Sequence, residues 1–353
     1  MKKEIMAIGL LTCATIAIAQ TEVNHHVPGI HAEGVTYFLP QTVIDITIEA
    51  EKVTYTPGLF CNYANKYLRL QGISNTSETH WEIKDIFAQT NGIPNPQNGY
   101  TIKLKEKSIA SLIELTSDGI LVSINKKQKD TPVKLQDAPK EQKLHIDPKD
   151  ILGEEILTAT STAKMAELVA KEIYNIRESR NSIIRGQAEN MPKDGESLKI
   201  ILRNLEAQDE ALTNMFKGTT IREKKTIALR LIPGEEAINK LILCRFSKKL
   251  GIVSSDDLSG APIYYDLENL HPISVQDESS GKKSKKPQGV VCNIPGKARF
   301  KIYNNQEVFL EEEFPIAQFG QTDILSNDLF NKTSSTSVIF DPATGAVLKI
   351  DRE

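Results

Sequence analysis

What is scarce in this chain narrows it first. It has four cysteines in 353 residues, and only Cys61, Cys244 and Cys292 lie beyond residue 19. Three thiols permit at most one internal disulfide, which excludes a disulfide-built scaffold. Apolar runs are short too. Past residue 19 each is broken by charge within a few positions, so none approaches the about 20 residues that a membrane-spanning helix needs. Charge is nearly balanced, at a formal net of -3, and leaves no basic footprint for nucleic acid. Motifs that announce chemistry are missing: no G-x-S-x-G elbow, no phosphate-binding loop, no H-E-x-x-H pair and no Gly-rich dinucleotide fingerprint. Paired carboxylates of the glycosidase kind come from distant strands and would leave no local trace among 46 acidic residues.

What is present begins with a leader. Lys2 and Lys3 precede an apolar stretch from Ile5 to Ala19, and Ala17, Ile18 and Ala19 supply the small-x-small pattern of a signal peptidase site. Residues 1–19 are therefore expected to be a signal peptide, too short to stay in a bilayer, with Gln20 as the mature start. A lipid-bearing Cys13 is the rival reading, opposed by Thr12 before it and by the short apolar core ahead of it. The expectation is an exported protein, periplasmic or at the cell surface, with no transmembrane span.

The remainder divides by pattern. Residues 20–33 are expected to be a flexible mature N-terminus. Period-two alternation in GVTYFLP and VIDITIEAEKVTYT then predicts strands, opening an N-terminal β-rich domain over 34–126. Within it Phe60, Tyr63, Ala64, Tyr67 and Leu68 share one face of a short helix that Gly72 can close. Trp81, Ile83 and Ile86 suggest a further strand, and NGIPNPQNG (91–99) is dense in turn-forming residues. YTIKLK, SIASLIEL and GILVSIN read as three more strands. Lys, Gln, Asp and Pro mark 127–150 as a linker. A middle α+β unit over 151–270 carries two amphipathic helices. Met165, Val169, Ile173 and Ile176 line the first; Leu198, Ile201, Leu202, Leu205, Leu212 and Met215 line the second, with Asp194 as N-cap and Gly218 as stop. MPKDGE between them suits a helical hairpin. TIALRLIP and KLILCRF predict strands joined around PGEEA, and APIYYDL a third. Residues 271–288 form a Lys-rich segment without interleaved aromatics, a solvated loop rather than an anion site. A C-terminal β unit occupies 289–353. The fold class is α+β, two mainly antiparallel β units, sandwich- or barrel-like, flanking the middle unit.

The two ends echo each other. GVVCNIP at 289 matches GVTYFLP at 34 in Gly, Val and Pro, and TSDGILVSIN and PATGAVLKID each place a Gly turn before an apolar strand. Two related β units and chance similarity of short strand-turn pieces both account for this.

GVTYFLPQT, TYTPG, YANKYL, KEIYNIRESR, DDLSGAPIYY, PIAQFGQT and FDPATG, in this order and across nearly all of the mature chain, resemble the exported Bacteroidota proteins grouped as domain-of-unknown-function family 4831. The resemblance implies an envelope or extracellular setting and carries no established activity, so it transfers no site residues. Cys292 stands where the family pattern has an aromatic.

Few residues invite a chemical role. Cys61, in the first turn of a predicted helix, is the one candidate nucleophile; His80 and His145 are the bases within sequence reach, and nothing in the spacing ties either to it. A small half-apolar residue beside the Phe60 face is the plainer account. His25, His26 and His31 could chelate a metal but lack a second cluster to fix geometry. Asp256 and Asp257 lack the alternating oxygens of a calcium loop and fit an Asx turn. No cofactor is implied. The expected function is a non-enzymatic binding or assembly module presenting β-rich surfaces to an envelope protein or glycan. The alternative is a cell-surface hydrolase acting through carboxylates or Cys61.

Overall fold

The computed structural model describes residues 22–25, 34–103, 113–126, 144, 146–188, 194–271, 289–326 and 336–352. After a short strand, β1 (Glu22–His25), the alternation of Ile44, Ile46 and Ile48 with Asp45, Thr47 and Glu49 produces one uninterrupted strand, β2 (Val35–Thr56). The three isoleucines are fully buried and the polar three keep contact with solvent. At about 3.3 Å per residue this strand reaches roughly 70 Å. β3 (Glu78–Lys103) runs antiparallel along almost all of it.

The turn-rich segment 91–99 does not end that strand. Pro40 pairs with Pro94 and Phe38 with Gly99, so residues 95–98 bulge out opposite Leu39 alone, with Gln97 N–H held by Asn95 Oδ1 at 3.0 Å. A bulge is where a sheet admits prolines, because no ladder donor is needed there.

Between the two long strands the chain turns through a single 3-10 turn (Cys61–Tyr63) and α1 (Ala64–Leu68). Arg69, at φ 59°, stops this helix by giving its N–H to the carbonyls of Ala64 and Asn65, three residues before Gly72. β4 (Ile113–Leu115) and β5 (Leu121–Ile124) form a hairpin, and α2 (Glu154–Leu157), α3 (Thr162–Ile184) and α4 (Gly195–Lys217) follow. Asp194 caps α4 by accepting from Ser197 N–H at 2.7 Å, and Gly218, at φ 82°, closes it, both as expected. Val169, Ile173, Ile176, Leu212 and Phe216 bury a seam between α3 and α4, continuous with Phe60, Ala64 and Leu68. Arg177 and Asp209 pin the pair from the side at 2.9 Å.

The remaining elements are strands: β6 (Thr219–Leu231), β7 (Ile238–Ser247), β8 (Gly251–Val253), β9 (Ala261–Asn269), β10 (Gly289–Tyr303), β11 (Val308–Ser326), β12 (Thr336–Phe340) and β13 (Val347–Arg352). They assemble into three open sheets, ordered β1-β3-β2-β6, β11-β10-β9-β7-β8 and β13-β12-β5-β4. Every strand pairing within them is antiparallel. β6 and β7 do not form a hairpin around PGEEA; the chain crosses there from the first sheet to the second. The sheets also gather strands from distant stretches of sequence. β6 lies against β2, β7 and β9 share a sheet with β10, and β5 pairs with β12.

The middle of the β2–β3 hairpin faces the second sheet across a core of Ile44, Ile46, Ile48, Ile86, Ile263, Leu267, Phe300 and Ile302. Its far end packs with β10, β11 and the third sheet through Tyr37, Leu39, Ile102, Val290, Val338 and Phe340. The two long hairpins repeat geometric details where the sequence repeats. In β10–β11, Ile294 pairs with Gln321 and Gly296 with Ile316, so residues 317–320 bulge out opposite Pro295, one position further along the matched sequence than Leu39, opposite which 95–98 bulge. The carbonyl of Gly119 accepts from Phe38 N–H at 2.9 Å, and that of Gly345 from Asn293 N–H at 3.1 Å. Both glycines hold positive φ, 87° and 76°, which suits residues without a Cβ.

Candidate functional site

The apolar spacing of β3 slips between Ile83 and Ile86, three positions apart instead of two. The structure shows why. Ile83 pairs with Ala50 and Asp85 with Glu49, so Lys84 is an extra residue that the ladder does not pair. Such a bulge re-aims the side chains around it. Here Ile83 and Ile86 both reach the sandwich interior, and Lys84 and Asp85 stand at its rim.

On the facing sheet, β10 pairs with β9 only as far as Tyr303 opposite Tyr264. The chain then turns back through Asn304, whose carboxamide oxygen accepts from Gln306 N–H at 2.7 Å and Glu307 N–H at 2.9 Å. Ala261, Pro262 and Ile263 therefore have β7 on one side and, among the described residues, no strand on the other. The result is a cleft of about 590 Å³ between β3, the start of β9 and the β10–β11 turn. Its floor is apolar: Ile86 and Ile263 are almost fully buried, and Phe246, Val308 and Phe309 complete it. Lys84, Asp85, Lys248, Asn305, Gln306 and Glu307 make the rim. Asp85 is already occupied, its Oδ1 accepting from Ile86 N–H at 2.9 Å. Neither Lys84 nor Lys248 has an ion pair among the described residues.

A second set of charges lies on the other face of the first sheet. Glu51 is buried and paired with Arg222 at 3.2 Å; Arg222 also reaches Glu82 at 3.3 Å. His80 stands between Glu82 at 3.1 Å and Glu78 at 3.7 Å. Further along, Asp45 accepts from Nε and Nη2 of Arg230, at 2.6 and 3.0 Å, and from the Asn91 amide. These contacts hold carboxyls below their ordinary range, Asp45 chiefly through Arg230 and Glu82 through His80 and then Arg222. A depressed carboxyl binds its proton more weakly in the folded chain than in the unfolded one, so the stability it adds is present above the ordinary carboxylate range and is lost as pH falls below it. The urea midpoint is expected to be lower at about pH 3.5 than at pH 7. The doubly substituted Arg222→Met, Arg230→Met chain should show a smaller gap between the two midpoints, and an unchanged gap would remove these contacts from the acid response.

The residues singled out from sequence do not converge. Cys61 is half-buried at the start of its 3-10 turn. No hydrogen bond joins it to His80, and His145 lies outside the described residues. His25 sits on β1 with its ring edge-on to Tyr100 at 5.3 Å, and His26 and His31 lie outside the described residues. Among the described residues no group of three His, Cys, Asp or Glu is placed to hold a metal ion. Asp257 accepts from Ser259 N–H at 2.9 Å in the expected Asx turn. Burial pushes the thiols of Cys244 and Cys292 up to about 11, the latter with help from Asp323, which keeps both protonated and unreactive at neutral pH. The cleft itself was not anticipated from sequence, although the one-residue slip after Ile83 is a trace of it.

No helix among the described residues is long and apolar enough to cross a membrane. Comparison with curated proteins finds no match, and comparison with solved structures finds none either. One family model does match, over residues 33–348, which is nearly the whole chain beyond its N-terminus. The chain belongs to the family described as Domain of unknown function (DUF4831).

Proposed function

We propose that this chain is an exported binding module of the bacterial envelope, of the Bacteroidota as the sequence resemblance implies, and that it takes part of a protein or glycan partner into the cleft between β3 and the β10–β11 turn. The observation that carries this reading is an apolar floor left open by the architecture itself: β10 turns back at Tyr303 before it can cover Ile263. A concave apolar surface with a few polar groups at its rim is the usual form of a ligand site. Export is supported by the basic start at Lys2 and Lys3 followed by the apolar stretch to Ala19. A hydrolase working in the same cleft draws less support, because Cys61 does not line it and its two carboxylates, Asp85 and Glu307, stand on opposite walls.

Ala261 is exposed at the cleft wall, so a larger side chain there fills the space without entering the core. Binding of the mature protein to arrayed peptides and arrayed oligosaccharides is expected to identify one retained class, and Ala261→Trp is expected to weaken that binding by about tenfold or more. Retention that is indifferent to Ala261→Trp would place the ligand elsewhere and end this reading.

A further inference from the structure

We infer that the partner is an extended polypeptide segment that adds to the open edge of β3, with an apolar side chain in the cleft and a carboxylate beside it. This rests on the cleft being the binding site and narrows what it takes. Among the described residues, β3 has a strand on the side away from β2 only at Tyr100–Lys103, where β1 pairs with it. From Glu78 to Gly99 that edge is unclaimed by any described strand. Backbone groups on such an edge alternate in direction, and those turned outward are templates for an added strand.

Two contacts show the edge in use. The N–H of Trp81 turns away from β2 and donates to the Lys248 carbonyl at 2.8 Å, so the β7–β8 turn already supplies one strand-like contact at the mouth of the cleft. Counting on from Trp81, through Ile83 and across the bulge, the next outward donor is Ile86 N–H. There the Asp85 carboxylate occupies the place of a partner's carbonyl oxygen. An added strand would displace it, and in doing so would run past the floor made by Ile86, Ile263 and Phe309. Side chains of a strand alternate between its faces, so every second one points at that floor.

Charge selects among such segments. Lys84 belongs to β3, and Lys248 is held to β3 through the Trp81 contact. Both are exposed and neither is paired among the described residues, so with Asp85, which keeps its negative charge whether it holds Ile86 N–H or is displaced, the β3 side carries two positive charges against one. Glu307 lies at the opposite wall, on the β10–β11 turn. The β3 side of the cleft therefore favours a partner with carboxylates flanking its apolar residues. A glycan has neither the alternating side chains nor the regularly spaced backbone donors to use this edge.

The test uses acetyl-Glu-Val-Thr-Ile-Thr-Val-Glu-amide as probe, two copies N-methylated at alternate residues in opposite phases, and a copy with lysine in place of glutamate. Binding to the mature protein is followed by titration calorimetry. Strand addition uses the N–H groups of every second probe residue, so one N-methylated copy should lose at least about tenfold in affinity and the other should retain it. Asp85→Ala should tighten binding about three- to tenfold by freeing Ile86 N–H, and the lysine copy should bind several-fold more weakly. If Ala261→Trp abolishes binding but both N-methylated copies bind like the parent, strand addition is wrong and the cleft reading stands. If the probe binds and Ala261→Trp leaves it unaffected, both fail. Absence of any binding by the probe, with an oligosaccharide retained on the array, would overturn the peptide inference alone.

Discussion

Tyr37→Phe is expected to lower the unfolding free energy by about 3 kcal/mol, a large loss for the removal of one oxygen atom. Tyr37 is fully buried, and its hydroxyl donates to the Val291 carbonyl at 3.0 Å while accepting from Val291 N–H at 2.9 Å. The phenol thus stands in for a neighbouring strand where the edges of the two long hairpins meet. Burial raises its pKa far above the ordinary phenol value, so it stays protonated and keeps its donor. Phenylalanine fills the same space but leaves a buried backbone donor and acceptor unsatisfied, each worth about 1–3 kcal/mol. Urea unfolding of the two chains measures the difference. Tyr100→Phe is the control, since Tyr100 packs on Tyr37 but is only partly buried. A loss below about 0.5 kcal/mol for Tyr37→Phe would show that the hairpins do not depend on this contact.

Gly320→Ala is expected to be as damaging for a different reason. A Cβ at this position would lie 1.8 Å from the Ile294 carbonyl oxygen and 2.8 Å from Gly296 N, both backbone atoms that no rotamer change can move. Gly296 is equally confined, its Cβ position 2.3 Å from the Phe319 carbonyl oxygen. The four-residue bulge opposite Pro295 therefore closes only around two glycines. Accommodating a methyl group means separating β10 from β11 beside Ile316 and Phe319, at a cost at or above the upper end of the usual overpacking range, about 3 kcal/mol. Gly195→Ala, at the first position of α4 where nothing lies within 4 Å, should be neutral or slightly stabilising in the same assay. Equal behaviour of the two variants would contradict the packing described for the bulge.

How much of this was legible in the sequence depends on the distance between cooperating residues. Local signals carried the helices: the spacing of Val169, Ile173 and Ile176 set the buried face of α3, and Asp194 and Gly218 marked the limits of α4. The same local logic misplaced Asn91 to Gly99, because the residues that form a turn also form a bulge, and only the partner strand decides between them. It also joined β6 to β7, where tertiary pairing sends them to different sheets. The cleft fared worst. Ile86, Lys248, Ile263 and Phe309 come from four separate strands or turns, and no pattern within any one of them foretells the meeting. Cys61 drew notice through its residue type, but reactivity needs a base that the described fold does not place beside it.

The pairing of β5 with β12 carries a consequence for how the chain reaches this state. Ile124 finds its partner Val338 more than two hundred residues later. At about 5–20 residues per second of synthesis, the N-terminal portion waits roughly 10–40 seconds before the segment that covers Leu121 and Ile124 exists. Among the described strands of the third sheet only β4 and β5 precede this interval, so the sheet stays incomplete until β12 and β13 emerge. That delay leaves Leu121 and Ile124 open to any chaperone that binds apolar segments before the sheet closes.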